Sequence, residues 1–338
     1  MYPIQLQRAL YGFLESSLLF CAARTGVLEQ LAGTEAVLSA DLLGERCSLD
    51  VPRLRRVLNA LAAMGVVVRV GEGYTLAGEL RPHFDAASPQ YAGGFIRHLS
   101  SQVYGKAPHL AELLAPAAAG AAAPAAVAPT EFFSFYEDAE RTRVFLEAMW
   151  NLGIGPAREL VDTPLLAGCT RLLDLGGGPG AFAIAAAERH ARLTATVFDL
   201  APVRAAFDAR ATSSPAAPRL GFVSGDFWRD PIPSADAVAL GYVLSDWKDE
   251  DCLFLMKKVF VALPPGGHLL ILEKLLDEGA AGPYTAVMLD ISMLLETEGR
   301  HRTVSQYTEM LQQAGYELAA VQRSSGEKHL IAGRKPVL

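Results

Sequence analysis

A glycine-rich turn between an apolar run and an alanine-rich run constrains this chain more than any other stretch. Residues 171–180 read Arg-Leu-Leu-Asp-Leu-Gly-Gly-Gly-Pro-Gly, and the alanine-rich run continues to Glu188. The apolar run predicts a buried strand, the glycines predict a tight turn, and the alanine-rich run predicts a helix. Pro179 falls near the first turn of that helix, where a missing N–H costs least. A strand–turn–helix unit lets the backbone approach a ligand at the positive end of the helix.

Two carboxylates accompany this turn. Asp174 ends the first strand, where it can take a cationic group of a ligand. Asp199 ends the next predicted strand, residues 194–200, at about 20 residues beyond the turn, which is the usual place for an acid that holds ribose hydroxyls. The turn and the acid together indicate a cofactor that contains adenosine.

Strands and helices alternate from residue 171 to the end of the chain. Strands are predicted near residues 171–175, 194–199, 220–224, 236–243, 268–275, 316–322 and 328–333. The last two are expected to form an antiparallel pair. Such alternation predicts an α/β fold with a Rossmann-like, doubly wound, mostly parallel sheet covered by helices on both faces. We therefore place a cofactor-binding catalytic domain at residues 161–338.

The first 90 residues have a different pattern. Helical spacing of apolar residues covers residues 5–32, 39–43 and 51–64, and residues 65–76 predict a β-hairpin. Helices followed by a hairpin make a winged helix, so we expect a mostly helical winged-helix domain over residues 1–90. Its would-be recognition helix carries three arginines at positions 53, 55 and 56. These arginines are compatible with a DNA-binding regulator. The negative net charge of the chain instead favours a solvent-exposed helix face on a dimerisation domain.

Residues 91–160 are predicted to form a helical linker with substrate-pocket helices. An apolar helix is expected over residues 91–114, and the Ala, Pro and Gly composition of residues 115–129 predicts a mobile surface loop. Aromatic and methionine residues recur at helical spacing over residues 132–160. This stripe is expected either to pack in the core or to form a pocket wall. The candidate substrate-pocket residues are Phe145, Met149, Trp150, His98 and, further along the chain, Met293.

Composition narrows the functional classes. The formal charge of −7 over 338 residues argues against a nucleic-acid surface. No run approaches the roughly 18 uninterrupted apolar residues of a membrane span, and the start lacks the pattern of a signal peptide. The 4 cysteines are scattered without a CxxC pair, which predicts thiols in a reducing compartment and no zinc site. We therefore expect a soluble, cytoplasmic protein.

Short motifs follow one another through the C-terminal half. They read Asp-Leu-Gly-Gly-Gly-Pro-Gly at 174–180, Val-Phe-Asp-Leu at 197–200, Gly-Asp-Phe-Trp at 225–228, Asp-Pro-Ile-Pro at 230–233, Val-Leu-Ser-Asp-Trp at 243–247, Leu-Pro-Pro-Gly-Gly at 263–267, Leu-Glu-Lys-Leu-Leu-Asp-Glu at 272–278 and Glu-Gly-Arg-His-Arg-Thr at 298–303. In this order they resemble the small-molecule O-methyltransferases of the caffeate and acetylserotonin type. The winged N-terminal half fits as well, so the likeness covers nearly the whole chain.

The resemblance implies a methyltransferase that uses S-adenosylmethionine on a small aromatic or heteroaromatic metabolite. It further implies a role in secondary metabolism such as antibiotic biosynthesis and a homodimer through the N-terminal domain. The net charge and the apolar pattern lead us to expect no membrane or nucleic-acid partner. The glycines would face the methionine part, Asp199 the ribose, and Asp226 with Phe227 the adenine. The expected cofactor-binding residues are Asp174, Gly176, Gly178, Asp199, Leu200, Asp226, Phe227 and Trp247.

The sequence departs from the family at the general base. Where the family has His-Asp-Trp, this chain has Ser245, Asp246 and Trp247, and His301 replaces the glutamate of the Gly-x-Glu-Arg-Thr motif. The other orienting acid is retained as Glu273. The candidate catalytic residues are therefore Ser245, Asp246, Glu273 and His301. A serine hydroxyl is too weak to take a phenol proton unaided.

Four routes for the acceptor proton stay open. His301 acts as the base, oriented by Glu273 or Asp246; the acceptor is a nitrogen or carbon nucleophile; the acceptor is an acidic phenol or enol that is already ionised; or His301, with His98 or His109, holds a metal ion. Two further enzyme classes also stay open. One keeps the cofactor for decarboxylation, hydroxylation or rearrangement, and the other is a nicotinamide oxidoreductase, whose fingerprint the turn formally fits.

Overall fold

The structure, a computed structural model, describes residues 2–88, 90–114, 136, 138–326 and 328–337. The chain divides into two compact units, Met1–Ser101 and Gln102–Leu338. The loop expected at residues 115–129 and the aromatic positions 132, 133 and 135 lie outside the described residues. The finer division at residues 90 and 160 stays a prediction.

The first unit combines short helices with a small sheet. Its helices are α1 (Ile4–Arg24), α2 (Val27–Ala32), α3 (Ala40–Cys47), α4 (Val51–Ala63), α5 (Arg81–Phe84) and α6 (Gly93–His98), and its strands are β1 (Leu38–Ser39), β2 (Val67–Val70) and β3 (Gly73–Leu76). The strands pair in the order β1-β3-β2. The Asp50 carboxylate caps α4 by accepting a hydrogen bond from the Arg53 backbone N–H. The predicted helical, winged-helix fold is thereby confirmed.

Helix α1 leaves a stripe of leucines uncovered. Leu6, Leu10 and Leu14, four residues apart on one face, are 44%, 47% and 45% exposed. The helix predicted over residues 5–32 is in fact two helices, because Gly26 adopts a left-handed backbone with φ +76°. On α4, by contrast, Arg53 and Arg55 form surface ion pairs with Asp50 and Asp41. Such contacts are typical of a solvated helix face.

The second unit is built on one large sheet. Its strands are β4 (Arg171–Leu175), β5 (Thr194–Asp199), β6 (Leu220–Ser224), β7 (Ala237–Gly241), β8 (His268–Leu276), β9 (Arg302–Thr303), β10 (Glu317–Gln322) and β11 (Lys328–Arg334). They lie in the order β10-β11-β8-β7-β4-β5-β6, with β9 beside β8. Strands β4 to β8 are parallel, whereas β11 is antiparallel to both β8 and β10. The Rossmann-like sheet and its terminal antiparallel pair are confirmed.

Helices cover both faces of this sheet. The helices of this unit are α7 (Leu110–Leu113), α8 (Ala139–Leu160), α9 (Ala181–Arg189), α10 (Arg204–Ala211), α11 (Asp249–Ala262), α12 (Tyr284–Glu296) and α13 (Val304–Gln313). One apolar core packs α8, α9 and α10 on one face, and a second packs α11 and α13 on the other. In the part of the chain that the structure describes, no helix has the length and apolarity needed to cross a membrane.

The single helix expected over residues 91–114 is wrong. The chain forms the six-residue α6, a π-helical turn at Leu99–Val103, a short turn at Ala107–His109 and the four-residue α7. Paired glycines at 93 and 94, Gly105 and Pro108 fall within this stretch. Glycine weakens a helix and proline removes a backbone donor, so apolar spacing alone overstates helix length here.

Candidate active site

A cavity opens at the carboxyl ends of the parallel strands. It encloses about 920 Å³ of empty space, part of it open to solvent. Its lining includes all the expected cofactor-binding residues, namely Asp174, Gly176, Gly178, Asp199, Leu200, Asp226, Phe227 and Trp247. The carboxyl edge of an open α/β sheet is where such folds bind ligands. The structure therefore brings together in one place the cofactor residues that the sequence predicts.

The glycine turn after β4 brings its backbone directly to the cavity wall. Gly176 N donates to Phe198 O at 2.8 Å, and Gly178 adopts φ +55°. A Cβ on Gly177 would lie only 2.6 Å from Cγ of Asp174. A side chain is thus excluded beside Asp174, and the turn stays narrow enough for the backbone to line the cavity.

Asp174 and Asp199 stabilise the turn from two strands. Asp174 Oδ2 accepts from Ala183 N at 3.0 Å, and Asp199 accepts from Gly178 N and Leu200 N, each at 2.7 Å. Burial raises the pKa of each carboxyl to about 6, against the lowering effect of these hydrogen bonds. A ligand that brings hydroxyl donors or a positive charge would stabilise the ionised forms.

Aromatic rings form the wall beyond β6. Trp228 lies with its ring centroid 5.0 Å from that of Phe227 and 4.8 Å from that of Trp247, edge to face in both pairs. Asp226 Oδ1 accepts from Trp228 N at 2.8 Å, and Lys258 Nζ donates to Phe227 O at 2.7 Å. These bonds hold a flat, apolar surface beside a carboxylate, an arrangement suited to a heteroaromatic ring that carries an amino group.

Ser245 is buried beneath the cavity. Its backbone N–H donates to Oε1 of the fully buried Glu273 at 3.2 Å. Burial raises the pKa of Glu273 to about 7, although the charge of Lys328 opposes this. The neighbouring Asp246 does line the cavity. Burial, together with the charges of Glu273 and Glu296, raises the pKa of Asp246 well above its ordinary value.

Arg302 fastens the turn that carries Ser245. This fully buried side chain donates to Leu244 O at 2.8 Å and to Trp247 O at 2.9 Å. The same guanidinium binds Asp249 Oδ1 through Nε at 2.9 Å and Nη2 at 2.7 Å. The turn is therefore held by its backbone oxygens to a strand more than 50 residues later in the chain.

His301 directly precedes Arg302 and is not among the described residues that line the cavity. It is 1% exposed, and within the described ranges neither ring nitrogen makes a hydrogen bond of normal geometry. Burial and then the charge of Lys274 lower the pKa of His301 to about 4. An imidazole with so low a pKa is neutral at pH 7 but a weak proton acceptor. Its role as the general base stays a prediction.

The predicted substrate-pocket residues are distributed unevenly. Phe145 and Met149, on α8, line the cavity. The Trp150 ring instead lies under the Arg210 guanidinium, 4.5 Å from its centroid. His98 is buried in the first unit, and Met293 is half-buried on α12.

Sequence reasoning missed several residues of the cavity wall. Tyr242 and Lys328 contribute to the lining without having been candidates, whereas Tyr136 and Leu146, which also line it, fall within the stripe at residues 132–160 that was expected as core packing or a pocket wall. For Lys328 there was a signal, because a lysine opens an otherwise apolar predicted strand, Lys-His-Leu-Ile-Ala. Within the described residues, no group of histidine, cysteine or carboxylate side chains is arranged to hold a metal ion.

Comparisons with known proteins agree with this geometry. A family model of the O-methyltransferase domain matches residues 110–317, and a model of the O-methyltransferase dimerisation domain matches residues 7–78. The chain is 31% identical to acetylserotonin O-methyltransferase of Mus musculus, over 94% of this chain and 85% of the relative. It is 30% identical to 3-hydroxy-5-methyl-1-naphthoate 3-O-methyltransferase of Streptomyces sahachiroi, over 98% and 95%.

Solved structures share the fold. Human N-acetylserotonin methyltransferase in complex with S-adenosylmethionine superposes with a TM-score of 0.88 at 24% identity, covering 98% of this chain and 97% of the other. A methyltransferase of calicheamicin biosynthesis, with S-adenosylhomocysteine bound, has a TM-score of 0.80 at 26% identity over 100% of both chains.

Proposed function

The chain belongs to the O-methyltransferase family, and we propose that it methylates an acidic phenolic or enolic oxygen of a small aromatic metabolite in secondary metabolism. It is an S-adenosylmethionine-dependent methyltransferase, and family membership replaces the nicotinamide and DNA-regulator alternatives. Relatives that act on a naphthoate or in tetracenomycin polyketide synthesis support an aromatic product of antibiotic biosynthesis.

The cavity supports this proposal because it joins a nucleoside site to an apolar, aromatic wall. S-adenosylmethionine carries the methyl group on a sulfonium. The acceptor would take this methyl group by in-line displacement, with the thioether as the leaving group. Asp199, Asp226 and the glycine turn would hold its adenosine half, and Phe145, Met149 and Trp247 give a dry surface for a flat acceptor. Holding the two reactants in line at near-contact distance contributes much of such a rate enhancement.

The choice of an acidic acceptor depends on how the acceptor hydroxyl loses its proton. The Ser245 hydroxyl is too weak a base to remove it, the raised pKa of Asp246 favours the protonated form of that carboxyl, and the lowered pKa of His301 makes its imidazole a weak proton acceptor. An ordinary phenol, with a pKa near 10, depends on a general base for about 10²–10⁴ in rate. An acceptor that is already ionised needs no such base. Its oxygen forms the new C–O bond while the electron pair of the broken C–S bond stays on sulfur.

A pH–rate comparison tests this proposal. For an acidic hydroxyarene we expect the rate to rise with ionisation of the acceptor and to stay within about threefold in His301→Ala, because no protein base is required. Ser245→His should raise the rate on a phenol of pKa near 10 by about 10- to 100-fold. Mass spectrometry should find one added methyl per product and one S-adenosylhomocysteine released.

Two outcomes would contradict the proposal. A loss of about 10² or more in folded His301→Ala at every pH would make His301 the base. A product without an added methyl would instead favour the non-methylating alternative. The thermal unfolding of each variant, measured beside the wild type, serves as the control for folding.

We further infer a homodimer formed through the first unit. The dimerisation model matches this region, and the exposed leucine stripe of α1 offers an apolar face. Leu10→Glu combined with Leu14→Glu should convert the dimer to a monomer, because two charges would be buried without partners. Light scattering after size exclusion measures the mass. The matched control is Val261→Glu on α11, since Val261 is 81% exposed and should tolerate the charge. A double variant that remains dimeric would place the interface elsewhere.

We also place the protein in the cytoplasm. All 4 cysteines are free thiols, as expected in a reducing compartment.

A further inference from the structure

Lys328 supplies the cavity with a positive charge. Among the described residues that line the cavity it is the one cationic side chain, and it faces a wall with four aspartates, at positions 174, 199, 226 and 246. The residue is 7% exposed at the start of β11, where its strand partner on β8 is Lys274. A buried lysine is uncommon unless its ammonium group has a partner or a ligand.

The ammonium group of Lys328 lies against Gly241 of β7, where the absence of a side chain leaves room for it. A Cβ on Gly241 would lie 3.0 Å from Nζ of Lys328, so a side chain there would crowd the ammonium. The next residue, Tyr242, has φ +56° and places its ring centroid 4.0 Å from Nζ. This contact is a cation–π interaction that holds the charge at the cavity wall.

Two buried carboxyls influence the pKa of Lys328 but accept their hydrogen bonds from other groups. Asp174 and Glu273 raise the pKa of Lys328, but burial outweighs them and lowers it to about 8. Asp174 and Glu273 accept hydrogen bonds from the backbone N–H groups of Ala183 and Ser245. The ammonium therefore remains charged at neutral pH, with donors available to the cavity.

Sheet order shows which part of the cofactor comes near Lys328. The residues expected at adenosine, Asp199 and Asp226, follow β5 and β6, whereas Gly241 ends β7 on the other side of β4. Neighbouring strands are about 4.8 Å apart, so β7 lies about 10 Å from β5. A cofactor that runs from β6 across β5 and β4 reaches β7 with the end opposite to its adenine. In S-adenosylmethionine that end is an amino acid, with an ammonium and a carboxylate.

We propose that Lys328 binds the α-carboxylate of the cofactor through its ammonium group. The aspartates of the wall repel a carboxylate, so Lys328 is the side chain suited to it, while Asp174 is placed for the cationic groups of the same ligand. The proposal rests on the cofactor of the family and is independent of the acceptor, because its test contains no acceptor.

Calorimetry with ligands that lose the tail stepwise tests this contact. The ligands are S-adenosylhomocysteine, its decarboxylated analogue, which keeps the amine, and 5′-methylthioadenosine, which lacks both groups. Lys328→Met should weaken S-adenosylhomocysteine binding by about 10- to 100-fold, the usual range for a charge-assisted hydrogen bond. The affinities of the two ligands without a carboxylate should change by less than about twofold, and Lys328→Arg should restore part of the loss.

Lys274→Met is the matched control, because it removes the same charge from a buried lysine on the paired strand, outside the cavity lining. It should leave the ranking of the three ligands unchanged. An equal loss for all three ligands in Lys328→Met would overturn the proposal and make the lysine a support of cavity shape. Unchanged S-adenosylhomocysteine binding with a raised KM for the acceptor would also overturn it and assign Lys328 to an anionic acceptor.

Discussion

Replacing Asp199 with alanine is expected to lower the affinity for S-adenosylmethionine by at least about 100-fold. We propose that this carboxylate accepts hydrogen bonds from two ribose hydroxyls, and each charge-assisted hydrogen bond contributes about 1.5–3 kcal/mol. A loss of about 3 kcal/mol corresponds to roughly a hundredfold in the dissociation constant. The same carboxylate also accepts from Gly178 N and Leu200 N, so its removal would loosen the glycine turn as well.

Isothermal calorimetry with S-adenosylhomocysteine measures this effect. Asp199→Asn keeps the shape but turns one acceptor into a donor, so we expect it to bind nearly as poorly as the alanine variant. Asp236→Ala is the control, because Asp236 also accepts backbone hydrogen bonds, from Thr170 N and Arg171 N, but before β4 and β7 begin. It should lower stability and leave the affinity of the folded protein unchanged. Unaltered binding by Asp199→Ala would refute its ribose role.

The second large effect is expected from Arg302→Ala, which should lower the free energy of unfolding of the second unit by about 4 kcal/mol. The substitution removes the guanidinium donor from the backbone oxygens of Leu244, Trp247 and Arg300. The first two oxygens then keep weak contacts, from the Cys252 thiol and, for Leu244 O, from Trp247 N at 3.5 Å. Each unsatisfied buried group costs about 1–3 kcal/mol, and the empty volume of a large side chain adds to this cost. Asp249 adds little, because its side chain is 47% exposed and water can replace the arginine.

Urea unfolding followed by tryptophan fluorescence measures this loss in the second unit alone. All 3 tryptophans, at positions 150, 228 and 247, belong to that unit. Arg300→Ala is the matched control: Arg300 binds the same Asp249 at 2.8 Å but is 43% exposed, so its loss should cost less than about 1 kcal/mol. If the two variants unfold at the same urea concentration, Arg302 does not anchor the turn.

The cofactor-binding side of the cavity could be predicted from the sequence because the residues that indicate it lie close together in the chain. The glycine turn and Asp199 lie within 30 residues of one another, and period and turn chemistry alone place them at the same sheet edge. Asp226, Phe227 and Trp247 needed the family resemblance as well. All of them line the cavity.

Features that depend on packing between segments distant in the chain could not be predicted from the sequence. Lys328 meets Gly241 only through the register of β11 on β8 and of β8 on β7, which no local pattern encodes. His301 directly precedes β9, whose pairing with the carboxyl end of β8 is likewise not encoded by a local pattern. The helix expected over residues 91–114 was wrong because its glycines and proline outweighed a genuine apolar spacing.

The way in which the Leu244–Trp247 turn is held has a consequence for divergence within the family. Arg302 donates to backbone carbonyl oxygens, and Glu273 accepts from the backbone N–H of Ser245, so these contacts use backbone atoms that every amino acid except proline possesses. The side chain at position 245 can then be exchanged by mutation while the scaffold that presents it persists. A lineage can in this way lose one proton-transfer group, acquire acceptors of a different acidity, and keep the same donor nucleotide throughout.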